Sequence, residues 1–242
     1  MLSKLTSLEF LDVSSNSLLS LSTSGNDVNY SFPQLTTVRF SGCSVRQFPN
    51  FFQTSKLRSL DLSNNMISGG ISKREAEGWE RLLVLDLSHN FLTTMEQLSG
   101  NNLEYLNLHS NLLQGPILSN CFNPQIPILK ELSVIIISKN KLAGNIPSIC
   151  NLSSVVVLDV SDNRLSGTIP DCLGNFSYLE TLDLQMNNIG KIPNSFVNNC
   201  ELSRLLLNDN QSEGLVPPSL ANCTSLELLN LGNKLTDRFP VG

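Results

Sequence analysis

The chain has 242 residues, 40% of them hydrophobic and 15% charged, with a formal net charge of −5. That balance excludes a nucleic-acid partner, whose phosphate backbone is met by clustered Lys and Arg. Aromatic residues make up only 6%, so aliphatic side chains must fill any core, and no apolar run approaches the roughly 20 residues that span a bilayer.

Read from its start, MLSKLTSLEFLDV lacks the charged, apolar and small-residue order of a signal peptide and enters directly into an alternation that recurs down the chain. The alternation begins at Leu8, Leu35, Leu57, Leu82, Leu103, Leu132, Val155, Leu179, Leu202 and Leu226. Each time it predicts a short strand followed by a polar corner. LDLSNNMISGGIS (60–72), LNLHSNLLQGPIL (106–118), IIISKNKLAGNIP (135–147), LDVSDNRLSGTIP (158–170) and LLLNDNQSEGLVP (205–217) share one order of residue types. A period of roughly 20 to 29 residues carrying L-x-x-L-x-L-x-x-N/C-x-L is the leucine-rich repeat, and about ten copies fill residues 1–242 as a single array. Rungs that touch only their neighbours can be stacked beyond the size at which globular cores split. The expected fold is an α/β solenoid: a curved right-handed superhelix with a parallel β-sheet on the concave face and a mostly irregular or 3-10 convex side. The last residues, LTDRFPVG, stop just after Phe239-Pro240, so both caps of the array are expected to be missing.

Within one rung, the period of two turns Leu158 and Val160 inward and Asp159 and Ser161 outward. Asn163 follows at the corner. Its amide offers both donors and an acceptor to backbone groups that the turn leaves unpaired. The same position recurs as Asn16, Asn65, Asn90, Asn111, Asn140, Asn187 and Asn210, a polar ladder through an apolar core. Gly167 permits backbone angles a side chain resists, and Pro170 sits where no donor is needed. Cys43 takes the asparagine place in the second rung, as a buried thiol. In the last rung only Gly232 separates Leu231 from Asn233, one residue fewer than elsewhere, and this corner is expected to be strained or frayed.

Two segments interrupt the pattern. ISKREAEGWERLL (71–83) predicts a short convex-side helix with solvated Lys73, Arg74, Glu75 and Glu77 and a packed Trp79. LSNCFNPQIPILKEL (118–132) lengthens its repeat and reads as an irregular loop in preference to a small binding insert.

Cys200 lies thirteen positions after Asn187, and Cys223 thirteen after Asn210. Neighbouring rungs stack about 4.8 Å apart, within the span a disulfide tolerates, so these two are expected to be bonded. Cys150, ten positions after Asn140, faces both Cys172, nine after Asn163, and Cys121, ten after Asn111; Cys172 is the favoured partner because the lengthened repeat displaces Cys121. N-x-S/T occurs at Asn29, Asn151, Asn175, Asn210 and Asn222. Asn29, Asn151, Asn175 and Asn222 are candidate glycan acceptors, whereas Asn210 is a ladder residue and is expected to stay bare. Paired cysteines and outward sequons together point to the secretory route.

No constellation for catalysis or cofactor binding emerges. His89 lies two places beyond Leu87 and His109 one beyond Leu108, so they belong to different columns, and no third metal ligand of matching phase is present. The recurrent Asp12, Asp61, Asp86, Asp159 and Asp183 are strand filling rather than an acid pair. An enzyme, a cofactor and a metal are therefore not expected. What remains is the outward face of the strands, the surface solenoids use for binding. The candidates are the residues that depart from the repeated Asp and Ser: Arg39, Tyr105, Asn107, His109, Ile136, Lys139, Gln185, Met186, Arg204 and Leu206.

The G-x-I-P endings at 144–147 and 167–170 resemble those of the extracellular plant type of the repeat. More specifically, NYSFPQL with SGCSVRQFPNF (29–51), SICNLSSVVVLDVSDNRLSGTIPDCLGNFS (148–177), LDLQMNNIGKIPNSFVNNCELSRLLLNDNQSEG (182–214) and SLANCTSLELLNLG (219–232) resemble plant leucine-rich-repeat receptor-like proteins of the disease-resistance class. The resemblance implies part of an ectodomain located outside the cell at the plasma membrane. It implies recognition of a peptide, protein or glycan in defence or developmental signalling, with receptor kinases as further partners of the full-length protein. Two alternatives are a secreted protein similar to polygalacturonase inhibitors and a truncated product without its own ligand.

Overall fold

In the computed structural model the structure describes residues 5–18, 32–48, 56–72, 76, 78–95, 102–117, 131–146, 150, 152, 154–193, 196–232 and 234–235. Each alternating stretch becomes a three-residue strand that begins two positions after the leucine opening its repeat. These strands are β1 (Phe10–Asp12), β2 (Thr37–Arg39), β3 (Ser59–Asp61), β5 (Val84–Asp86), β7 (Tyr105–Asn107), β9 (Val134–Ile136), β11 (Val157–Asp159), β13 (Thr181–Asp183), β15 (Arg204–Leu206) and β17 (Leu228–Asn230). They form one ten-stranded parallel sheet in that order, and Leu158 pairs with Ile135 on one side and Leu182 on the other. The register never slips, because a one-residue shift would turn every core leucine to solvent.

After the corner the chain makes a second set of short strands: β4 (Ser68–Ile71), β6 (Phe91–Met95), β8 (Gln114–Gly115), β10 (Lys141–Asn145), β12 (Arg164–Thr168), β14 (Asn188–Lys191), β16 (Glu213–Gly214) and β18 (Lys234–Leu235). These pair as β14-β12-β10-β8, β4-β6 and β16-β18. Gly167 has φ +87°, a conformation that favours glycine, while a Cβ there would meet only the terminal oxygen of the exposed Asn145 side chain, which can turn away. The far side of the rungs carries 3-10 turns, Asp171–Asn175 and Pro218–Asn222, with no α-helix among the described residues.

Leucine and isoleucine fill the interior, with Leu35, Leu60, Leu85, Leu106, Ile135 and Leu132 fully buried in one continuous core. The amides of the corner asparagines run through it. Asn163 donates to the carbonyls of Val160 (3.2 Å) and Ser161 (3.0 Å) in its own rung and Ile137 (3.1 Å) in the preceding one, and accepts from the Leu142 backbone N–H (3.0 Å). Asn65, Asn90, Asn111, Asn140, Asn187 and Asn210 likewise donate to a carbonyl of the rung before them. Asn16 is exposed and, among the described residues, donates only to Val13 and Ser14 of its own rung. Cys43 is fully buried, and its thiol lies 3.0 Å from the carbonyl of Val13, the bond an asparagine amide makes elsewhere.

The residue before each ladder position is left-handed in nine rungs: Ser15, Gly42, Asn64, His89, Ser110, Lys139, Asp162, Met186 and Asp209 all have φ between 50° and 68°. Only one is glycine, although this conformation ordinarily costs an L-residue about 1 kcal/mol or more. The ladder bonds immediately after each of these residues hold the turn.

Several expectations change in detail. Ser161, expected outward, is buried because its hydroxyl folds onto Asp159 Oδ1 at 2.6 Å, and Ser63 and Ser88 do the same with Asp61 and Asp86. In the 71–83 segment, Lys73, Arg74, Glu75 and Glu77 lie outside the described residues. Among the described residues of this segment no helix forms; turns are closed instead by the N–H of Trp79 to Ala76 and of Leu82 to Trp79. Trp79 is buried edge-on against Phe48. Gly232 keeps the regular bond from the Asp209 N–H at 3.1 Å, while Asn233 lies outside the described residues. So does the 118–130 part of the lengthened repeat, with Cys121.

Two disulfides tie successive rungs on the side away from the main sheet: Cys150–Cys172, with Cα atoms 5.5 Å apart, and Cys200–Cys223, at 4.5 Å. Replacing Asn163 by Ala should destabilise the protein by roughly 3 kcal/mol, since it strips partners from buried backbone groups of two rungs. The same change at exposed Asn16 should cost about 1 kcal/mol or less, and urea unfolding of the two variants compares them directly.

Candidate functional site

The ten-stranded sheet arranges its outward residues in columns running across the rungs. In the first column Val84, Tyr105, Val134 and Val157 are successive neighbours. In the second column Asp61 neighbours Asp86, Asn107 neighbours Ile136, and Asp159 neighbours Asp183. The middle of the sheet is thus an apolar strip of Val84, Tyr105, Val134, Val157 and Ile136, none of them core residues, between two pairs of carboxylates. Val84, Val134 and Val157 escaped the sequence reading because a strand valine looks like core. Their phase against Leu85, Ile135 and Leu158 is the signal that places them outward.

The repeated aspartates also build the corner. Asp61, Asp86 and Asp159 each accept a hydrogen bond from the backbone N–H two residues on, at 2.9 to 3.0 Å, and Asn107 does so for His109. Asp183 differs because Gln185 replaces serine there. Oδ1 accepts from the Gln185 backbone N–H and Oδ2 from its side-chain amide. Burial pushes the Asp183 carboxyl up to about 6, the Gln185 N–H opposing and the Asp159 charge adding to the rise. Burial likewise raises the Tyr105 phenol, helped by Asp86, so it stays protonated and able to donate.

The ten candidate contact residues fall into two groups and one outlier. Tyr105, Asn107, His109, Ile136 and Lys139 lie on the adjacent rungs of β7 and β9, and Gln185, Met186, Arg204 and Leu206 on those of β13 and β15, with the β11 rung between. Met186 is half exposed and Lys139 and Arg204 are exposed. Arg39 stands apart, over the Phe10 ring at 5.5 Å and 4.0 Å from Asp12.

The histidines require a correction. Although their sequence phases differ, the His89 and His109 rings meet edge-on with centroids 5.1 Å apart. Strand alternation stops at the left-handed corner residue His89, φ +54°, so its side chain need not oppose its predecessor's. His109 is half-buried, not merely exposed, and Nδ1 lies 2.8 Å from Ser138 Oγ. Burial lowers its pKa, with His89 and Lys139 adding to the effect. Among the described residues no group of three or more His, Cys, Asp or Glu is placed to hold a metal, and no helix is long and apolar enough to cross a membrane.

Of the sequons, Asn175 is exposed at the end of a 3-10 turn, while Asn222 is half-buried and donates its amide to the Phe196 carbonyl at 2.9 Å. Asn210 is buried with its amide in the ladder, and Ser212 of the same sequon is buried too. Asn29 and Asn151 lie outside the described residues.

Residues 153–211 match a family model described as leucine rich repeat, and residues 56–74 and 102–124 match a second of the same description. Receptor-like protein 6 of Arabidopsis thaliana is 37% identical over 176 residues, covering 70% of this chain and 17% of its own length. The chain thus spans under a fifth of that relative. Among solved structures, the PEPR1–AtPEP1 complex superposes with a TM-score of 0.76 at 31% identity, over 87% of this chain and 30% of that one. The Arabidopsis receptor kinase HAESA, solved with the peptide hormone IDA and the co-receptor SERK1, gives 0.71 at 28% identity, over 83% and 34%.

Glycopeptide mapping after secretory expression should find a glycan on Asn175 and none on Asn210. For Asp183, a folded-state pKa above its unfolded value of 3.8 means that folding favours the proton. Its contribution is therefore most favourable at low pH and is lost as pH rises through about 6. Carboxyl 13C NMR should give Asp183 a midpoint near 6, and the rise in stability of wild type on acidification from pH 7 toward pH 4 should be smaller in Asp183→Asn.

Proposed function

This chain belongs to the plant leucine-rich-repeat receptor-like proteins, and on that premise we propose that it is part of an extracellular recognition module that binds a peptide on the outward face of its main sheet. The observation that carries the proposal is the apolar strip of Val84, Tyr105, Val134, Val157 and Ile136 between the carboxylate pairs Asp61/Asp86 and Asp159/Asp183. Such a face suits an extended segment with an apolar side chain on Tyr105 and Ile136 and cationic groups toward the aspartates. The superposed receptor kinase HAESA, solved with a peptide hormone, supports a peptide before a protein or glycan.

The module works by binding and not by turnover. The repeated Asp and Asn side chains are committed to corner N–H groups and the ladder, which leaves Tyr105 as an amphipathic anchor of the kind that dominates interfaces. Signalling in defence or development, a position at the plasma membrane and association with receptor kinases belong to the full-length protein on this reading. A disulfide-tied exterior with an exposed sequon at Asn175 fits the secretory route.

Panning a library of displayed linear peptides on the secreted chain tests the assignment. Enriched peptides should carry Lys or Arg flanking an apolar residue. Their affinity should fall about tenfold or more in Tyr105→Ala, about 1.4 kcal/mol, and in Asp159→Asn. Binders indifferent to both substitutions would move the site off this face.

A further inference from the structure

The chain has two histidines, and the fold brings both to one corner. Ser138 Oγ donates to Asp159 Oδ2 at 2.7 Å and lies 2.8 Å from His109 Nδ1. A serine hydroxyl has a single proton. With that proton on Asp159, Ser138 must accept from Nδ1–H, so neutral His109 carries its free lone pair on Nε2, at the outer end of the ring. A histidine whose inner nitrogen donates into a chain ending on a carboxylate is oriented as metal-binding histidines are. The exposed His89 ring makes no hydrogen bond among the described residues and is free to present a nitrogen of its own.

The ring separation leaves the two imidazoles within reach of one shared ion. Two imidazole nitrogens bound to a zinc at about 2.05 Å and a tetrahedral angle place their ring centroids about 5.2 Å apart, and the His89 and His109 centroids are 5.1 Å apart. We propose that His89 and His109 form a two-histidine site for a divalent transition metal of the zinc class, with two coordination positions left to water or to donors of a bound molecule. Ser138 is a positioning residue, holding the His109 tautomer through Asp159. Asp159 and Asp162 supply favourable charge near His109 and Lys139 opposes it, so the site binds through its imidazoles and does not take hard cations such as magnesium, which prefer oxygen ligands. It shares only Asp159 with the peptide assignment and needs neither Tyr105 nor Ile136, so zinc binding can be read without any peptide.

Zinc sulfate titrated into the full chain, prepared without a histidine tag, tests this by calorimetry and by 15N NMR of the imidazoles. One equivalent should bind, both rings should respond together with His109 Nε2 as the liganding nitrogen, and equal magnesium should leave the spectrum unchanged. His89→Gln and His109→Gln should each weaken zinc at least tenfold, and Ser138→Ala about tenfold through the lost orientation. A response from only one ring, or undiminished zinc affinity in the double variant His89→Gln/His109→Gln, would overturn the proposal whether or not peptides bind the sheet.

Discussion

The structure depends on one hydrogen-bonded unit, the side-chain amide of the corner asparagine. A solenoid rung must turn sharply at the end of a three-residue strand, and the turn buries N–H and C=O groups that no strand can satisfy. Asn163 meets that requirement with donors to Ile137, Val160 and Ser161 and an acceptor for Leu142. Because two of those partners belong to the preceding rung, the unit that closes one turn also sets its distance and register from the last. The left-handed residue just before it follows from the same constraint, whether it is Ser15, His89 or Met186.

With register held, the outward residues become columns, and function becomes a matter of which residue occupies which rung. An aspartate in the second column supports its own corner, as Asp61, Asp86 and Asp159 do through the N–H two residues on. Ile136 and Leu206 interrupt that support at two rungs and expose apolar surface in the same places. Such exchange of local turn stability for recognisable surface is tolerable because the ladder beneath is intact at Asn140 and Asn210. The disulfides act on the opposite side of the rungs, so they hold the stack without crossing the sheet face.

The spacing of leucines, the asparagine positions and the phase of Cys200 and Cys223 were enough to read the sheet order, the ladder and one bridge, whereas the phase of Cys150 faced both Cys121 and Cys172 and only favoured the latter. These features are periodic, and each rung repeats the same local physics, so a residue's place follows from counting. Val84, Val134 and Val157 were legible in principle from the same count but were hidden by residue type. The convex segment around Trp79 was not, because no repeat governs it.

The amino-acid sequence by itself determined the parallel sheet, its ten rungs, the buried ladder and which side chains face outward within a strand, since all of these follow from period-two alternation and the bonding capacity of asparagine. Only the tertiary structure decided what happens where the alternation ends. At the corner a left-handed backbone abolishes the two-face rule, so counting placed His89 and His109 in separate columns while the folded chain set their rings together. The same limit applies to Ser161, whose outward phase says nothing of the Asp159 carboxylate that draws it under cover. Neighbour relations across rungs at the corner depend on φ and on hydrogen bonds between residues twenty or more positions apart, and no local pattern encodes them.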